Sequence, residues 1–221
     1  SAGLNNIQAC WAGLCMALSP LGFLSSFLAI TDGGIVLFWV IATAVMIRLE
    51  KETPDIVLGL LVGLGALFKW WMYYFWIVRL AWALYKKEPL TKNLWIGLAL
   101  SLLGLVPSLI WNMQHDWATF KHVFYTFNVP AEQEKGAGSN FFEFLGAQIG
   151  LLSPLLFGLF ILSIPSLFKT KDKPRFLGSV TAGVSGLYTL TALFKKLQGN
   201  WCSFVYPAGF VWIVKYTFDR F

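Results

Sequence analysis

The sequence predicts an all-α, polytopic transmembrane helix bundle of about eight membrane helices. Composition points there first: of 221 residues, 57% are hydrophobic and 13% charged, and the mean hydropathy is +0.64. Soluble domains sit near 45–50% apolar and about 25% charged, and one core at this length cannot hide so much apolar surface. A soluble enzyme, a disordered chain and a disulfide scaffold are excluded. The second observation is a series of apolar runs separated by short polar breaks. They are too long and too weakly alternating for barrel strands, so they read as helices, which satisfy their own backbone in lipid. The third is a partition of basic residues between alternate ends of those helices.

The runs follow in order. The first, 7–30, is interrupted at Ser19-Pro20, where proline kinks or splits it. Next come 34–48, 56–68, 70–85, 94–111, 144–167, 176–194 and 201–218. The stretch 56–85 reads either as one long helix with Lys69 near its middle or as two short ones meeting at Lys69. With two, Arg48, Lys51, Arg79, Lys86, Lys87, Lys92, Lys169, Lys171, Lys173, Arg175, Lys215 and Arg220 gather on one side. Only Lys69, Lys121, Lys135, Lys195 and Lys196 fall on the other, so the first side is cytoplasmic. A single helix destroys that bias and buries an unpaired lysine at a cost of about 3 kcal/mol. Two short helices are expected.

The net charge of +6 then follows from topology. No soluble basic face interleaved with aromatics exists, so nucleic acid is not an expected partner. The aromatic run 70–76 (WWMYYFW) reads as an interfacial belt at the outer end of its helix. Cys10, Cys15 and Cys202 read as buried free thiols, the first two on different helix faces.

On the outer side the polar residues with chemical potential collect. Asp32, in Thr31-Asp32-Gly33-Gly34, reads as a helix cap, as a carboxylate at a cavity mouth, or as both. Lys69 follows a helix carrying Gly59, Gly63 and Gly65, which allow close helix approach and draw the lysine inward. It is either a snorkelling surface lysine or the partner of a phosphate. The long extracytoplasmic loop, 112–143, begins with a helical pattern. At 100° per residue His115, Thr119, His122 and Thr126 share one face, and Trp117, Phe120, Phe124 and Phe127 the opposite one. An amphipathic helix lying on the outer leaflet, with its polar face solvated or lining a cleft, fits that pattern. The histidine spacing does not make a compact metal site. The following 130–140 (PAEQEKGAGSN) reads as a mobile covering loop. No Gly-x-Ser-x-Gly, His-Glu-x-x-His or P-loop motif is present.

Several stretches, in order, resemble the GT-C type membrane glycosyltransferases. The closest group is glycosyltransferase family 39/83, which holds protein O-mannosyltransferases and the lipid A 4-amino-4-deoxy-L-arabinose transferase. The stretches are Thr31-Asp32-Gly33-Gly34-Ile35-Val36-Leu37-Phe38-Trp39, then 59–69 (GLLVGLGALFK), then 107–120 (PSLIWNMQHDWATF), and finally Gly199-Asn200-Trp201. Gly33-Gly34 depart from the proline usual after the family's Asp-Ala.

The resemblance implies a GT-C-like bundle in a bacterial inner (plasma) membrane. It implies transfer of a sugar, with inversion, from a polyprenyl-phosphate donor to a lipid A, glycan or protein acceptor on the outer face. The bilayer, donor and acceptor are then the expected partners. The polyprenyl-phosphate sugar is a substrate rather than a cofactor, and a divalent cation is left open. Lys69 is expected at the donor phosphate and Asp32 at the donor sugar. Asn112, His115, Asp116 and His122 are expected to line the cleft. No catalytic or metal-binding residue is assigned: the family's catalytic carboxylate is expected upstream of Ser1. The 221 residues then read as one transmembrane domain, a central fragment of a longer chain and inactive by itself. A transporter or lipid flippase is the competing class, and a packing subunit a third.

Overall fold

Twelve α-helices and several short 3-10 segments account for the computed structural model, which describes residues 3–27, 31–48, 55–128, 137–169 and 173–220. Side chains are described outside 126–128 and 137–139. No strand occurs among the described residues. The expected all-α membrane bundle is what the chain forms.

The chain divides into two compact units, one made of residues 30–128 and the other of 1–29 with 129–221. The first unit holds α3 (Thr31–Arg48), α4 (Asp55–Ala66), α5 (Tyr74–Lys86), α6 (Lys92–Ser101), α7 (Val106–Gln114) and α8 (Ala118–Asn128). The second holds α1 (Asn6–Leu18), α2 (Pro20–Phe27), α9 (Ala137–Leu152), α10 (Pro154–Ser163), α11 (Lys173–Thr191) and α12 (Tyr206–Arg220).

Every apolar run of the sequence contains helix. Among the described residues two helices, Thr31–Arg48 and Lys92–Gln114, are long and apolar enough to cross a membrane, and up to four are if two bent pairs each count as one span. The first bent pair is α1 and α2, which meet at 65° across Ser19, where the Ser-Pro break was expected. The second was not expected. The run 144–167 breaks at Ser153-Pro154, and its halves diverge by 104°. Pro154 supplies no amide to a continuing helix, and Ser153 adopts φ 73° and ψ 151°, outside the helical region.

Packing in the first unit rests on glycine. A Cβ on Gly59 would lie 2.2 Å from the Gly97 carbonyl oxygen, and one on Gly97 would lie 2.1 Å from that of Asp55. Further along, a Cβ on Gly104 would lie 2.1 Å from the Gly63 oxygen. Helix α4 therefore meets α6 and the Leu102–Leu105 segment backbone to backbone. In lipid, where apolar burial drives helix association little, such close contact does much of the work. Gly97→Ala must push α4 and α6 apart, and overpacking of this kind costs about 1–3 kcal/mol. The expected outcome is a lower melting temperature in detergent; an unchanged one contradicts the packing.

The same helix shows two faces. Leu58 and Val62 are fully buried, whereas Leu60, Leu64 and Leu67 are about half exposed. In the second unit α11 turns its polar side chains inward: Thr181 and Ser185 are buried while Leu187 and Leu190 are exposed. The Thr181 hydroxyl donates to the carbonyls of Leu177 at 2.9 Å and Val205 at 3.0 Å, and Ser185 donates to Thr181 O at 2.7 Å. Polar groups inside and leucines outside is the arrangement of a helix in an apolar solvent.

The cysteines depart from expectation in one respect. All three are free thiols, but only Cys202 is buried; Cys10 is exposed.

Candidate functional site

Lys69 sits where α4 ends. Its amide still reaches back to Gly65 O at 3.2 Å, after which φ −150° and ψ 134° take the backbone out of helix. Its carbonyl accepts from Met72 N at 3.1 Å, starting the 3-10 turn Trp70–Tyr73 that leads into α5. The two-helix reading of 56–85, with lysine at the junction, is what forms. Both sides of the residue are thus fixed by backbone hydrogen bonds, and only the side chain has freedom.

That side chain meets Asp32. The Lys69 ammonium donates to Asp32 Oδ1 at 2.7 Å, with side chains 19% and 7% exposed. Asp32 belongs to the first turn of α3, where unpaired helix amides favour a carboxylate. The pair brings together two predicted site residues 37 positions apart. Phe68, next to the lysine, packs over the start of α3: a Cβ on Gly34 would lie 2.1 Å from its ring. Here is a physical reason for glycine at a position where this chain departs from the proline of the related motif. Gly34→Ala is expected to displace Phe68 and shift Lys69, and misplacing a reacting group by about 1 Å costs up to a hundredfold in rate. A transfer assay on this variant showing full activity would separate Phe68 packing from the site.

Beside Lys69 lies a cavity of about 380 Å³, lined by Ala66, Leu67, Phe68, Lys69, Trp70, Gly104, Pro107, Ser108 and Thr119. Its volume falls in the range of small-molecule sites. Lys69 lines it and Asp32 holds the lysine.

Asn112 has a different place from the one expected of it. It is fully buried. Its Nδ2 donates to Ser108 O at 2.8 Å, and its Oδ1 accepts the Thr119 amide at 2.9 Å. The latter satisfies an otherwise orphaned amide in the first turn of α8. Asn112 O also accepts the amides of His115 at 3.2 Å and Trp117 at 2.8 Å. The residue therefore stands behind the cavity wall and joins α7 to α8.

The sharp turn it holds contains two consecutive left-handed residues, Asp116 (φ 51°) and Trp117 (φ 59°). The predicted amphipathic helix begins only at Ala118, so His115 and Trp117 belong to the turn rather than to the helical stripe. Of that stripe, Thr126 and Phe127 have side chains outside the described residues. His115 stacks on Trp111 at 4.1 Å between ring centroids, with Nδ1 2.8 Å from Trp111 O. Because a carbonyl only accepts, Nδ1 is the protonated nitrogen in the neutral ring. His115, Asp116 and His122 are all exposed and do not line the cavity. Of the covering loop expected at 130–140, residues 130–136 lie outside the described residues, and from Ala137 the chain is already α9. Among the described residues no three His, Cys, Asp or Glu side chains gather to hold a metal ion.

Sequence reasoning passed over an ionic cluster at the other end of α4. Arg79 is 3% exposed and Asp55 fully buried. Arg79 Nε donates to Asp55 Oδ1 at 2.6 Å and Nη2 to Oδ2 at 3.2 Å, while Nη1 donates to Glu88 at 3.0 Å. Arg79 had been counted with the cytoplasmic charges. An arginine inside the apolar run 70–85 was the available signal, since such a residue needs a buried partner.

An all-α membrane bundle with a lysine–carboxylate pair beside a small cavity agrees with a membrane glycosyltransferase of the GT-C type. Comparison with known proteins bears on that class directly. Residues 2–111 match the family model described as dolichyl-phosphate-mannose-protein mannosyltransferase, a stretch that contains Asp32 and Lys69. Over 209 residues the chain is 28% identical to the lipid A galacturonosyltransferase RgtD of Rhizobium johnstonii, covering 90% of this chain and 43% of that protein. The chain thus spans less than half the length of this curated relative. No solved structure matches. Both matches support the resemblance to the GT-C type membrane glycosyltransferases drawn from the motifs.

Proposed function

We propose that the complete protein transfers a sugar from a polyprenyl-phosphate carrier to a lipid or glycan acceptor at the outer face of the membrane, and that Lys69 receives the donor phosphate. The observation that carries this reading is the Lys69 ammonium, held at 2.7 Å by Asp32 on the wall of a cavity of about 380 Å³. Such a site suits a group that is anionic at one end and small and polar at the other. The carrier's hydrocarbon tail needs an apolar surface, and the exposed leucines of α4 offer one.

In the proposed step an acceptor hydroxyl attacks C1 of the sugar and the bond from C1 to the phosphate oxygen breaks. The electron pair leaves with the polyprenyl phosphate, and the acceptor proton passes to a carboxylate base. No residue of this chain is assigned that last role. Lys69 offsets the charge that grows on the departing phosphate, the kind of stabilisation that is strongest where water is scarce. Asp32 orients the ammonium. A lipid A acceptor is favoured over a protein one by the name of the curated relative.

The test is a reconstitution of the complete protein in liposomes with radiolabelled donors. Label passing to lipid A from a polyprenyl-phosphate sugar but not from a nucleotide sugar is the expected result. Movement of label or of protons across the bilayer without covalent transfer contradicts it and reinstates a transporter.

A further inference from the structure

The cavity beside Lys69 contains more than the phosphate partner. Its lining also includes Ser108, Thr119 and Trp70. Of these, Ser108 carried no reading from the sequence, Trp70 was read as part of an interfacial belt, and Thr119 as part of a polar face either solvated or lining a cleft. Thr119 and Trp70 come from elements far apart in sequence, and they are fixed relative to each other by contacts within the same unit. Trp70 packs against Phe120 with ring centroids 5.0 Å apart, and Phe120 is braced in turn by Trp117 at 5.5 Å. Ser108 and Thr119 are both held by Asn112, the first through its carbonyl and the second through its amide. Asn112 thus fixes the backbone of both residues and leaves their hydroxyls free to face a ligand. The Thr119 hydroxyl makes no hydrogen bond among the described residues, and the Ser108 hydroxyl has only a marginal contact of 3.5 Å with Asn112 Nδ2.

We infer that Trp70, Ser108 and Thr119 form the subsite for the pyranose ring of the donor, with Asn112 as its positioning residue. This inference rests on the phosphate role of Lys69 proposed above. Its chemistry is separate from that role. A sugar ring offers one apolar face of C–H groups and an equatorial girdle of hydroxyls. An indole ring suits the apolar face, and side-chain hydroxyls, which both donate and accept, suit the girdle. A charged residue is not required for either contact. Lys69, adjacent in sequence to Trp70, then meets the phosphate at the point where the sugar is attached.

The experiment compares binding of two probes to the complete protein in detergent: a polyprenyl phosphate, and the same lipid carrying mannose or galacturonic acid. In the unaltered protein the sugar-bearing probe is expected to bind more tightly. Thr119→Val, Ser108→Ala and Trp70→Leu are expected to abolish that preference while leaving the affinity for bare polyprenyl phosphate within twofold. Lys69→Ala is expected to weaken both probes. Asn112→Ala is expected to act like the wall variants, and Asn112→Asp, which keeps the acceptor for the Thr119 amide, to recover part of the preference. If the wall variants keep the full preference, or weaken both probes equally, the sugar subsite is overturned while the phosphate role stands. If Lys69→Ala weakens neither probe, the phosphate role falls, and the subsite with it.

Discussion

Lys69→Ala abolishes sugar transfer, by at least a hundredfold, whereas Lys195→Ala leaves transfer largely intact. The magnitude follows from removing a fixed charge that meets a developing anion, which costs about 10²–10³ in rate. The alanine variant also takes from Asp32, at 7% side-chain exposure, the ammonium 2.7 Å away. A drop in yield is therefore expected as well, and it must be separated from loss of chemistry. The double variant with Asp32→Asn also removes the carboxylate charge that faced the ammonium, and is expected to recover yield without restoring transfer. Lys69→Arg keeps the charge but not the compact ammonium, and an intermediate activity is expected. Equal activity in the Lys69 and Lys195 variants rules out the phosphate role.

Arg79→Leu is the second large effect, and it falls on stability. The guanidinium takes both oxygens of a fully buried Asp55 and one of Glu88. Removing it leaves an uncompensated buried carboxylate, a loss of about 3–5 kcal/mol. Removing both charges, with Asp55→Leu and Arg79→Leu together, is expected to recover much of that loss, because a buried ion pair repays little more than its own desolvation. Transfer in the double variant is expected to persist. Asp55 opens α4 and Lys69 follows its end, and 12 helical residues place the two charge pairs roughly 18 Å apart. Melting in detergent and a transfer assay on the same preparations check both statements. A double variant as unstable as the single one shows that the pair does more than neutralise itself.

The fold was legible wherever one local rule decides. Ser19-Pro20 broke the first span because proline cannot continue a helix, and Lys69 fell at a junction because an unpaired ammonium cannot sit in mid-membrane. The glycines at 59 and 63 announced a close helix contact, and Gly97 and Gly104 supply the other side of it. Asp32 and Lys69 were both singled out, but their pairing was not, since sequence spacing says nothing of which helix ends meet. For the same reason Asp55 and Arg79 went unpaired on paper. The expected break-free run 144–167 concealed Ser153-Pro154, where hydrophobicity masked a local stop signal.

Around Asn112 the structure adds what the sequence did not show. A polar residue next to His115 and Asp116 looks like cleft lining. Its burial and its two hydrogen bonds, at 2.8 and 2.9 Å, turn it inward to support the turn. The 3.6-residue period extended the amphipathic stripe back to His115, but the left-handed Asp116 and Trp117 end the pattern there. Helical periodicity cannot register a reversal that depends on two backbone angles.

The central claim is that the Lys69 ammonium binds the phosphate of a polyprenyl carrier. The most direct measurement is the affinity of the complete protein for a polyprenyl phosphate without sugar, in the unaltered form and in the Lys69→Ala/Asp32→Asn and Lys195→Ala variants. A loss of at least tenfold in the first variant, with none in the second, is the predicted result. Equal affinity in all three contradicts the account.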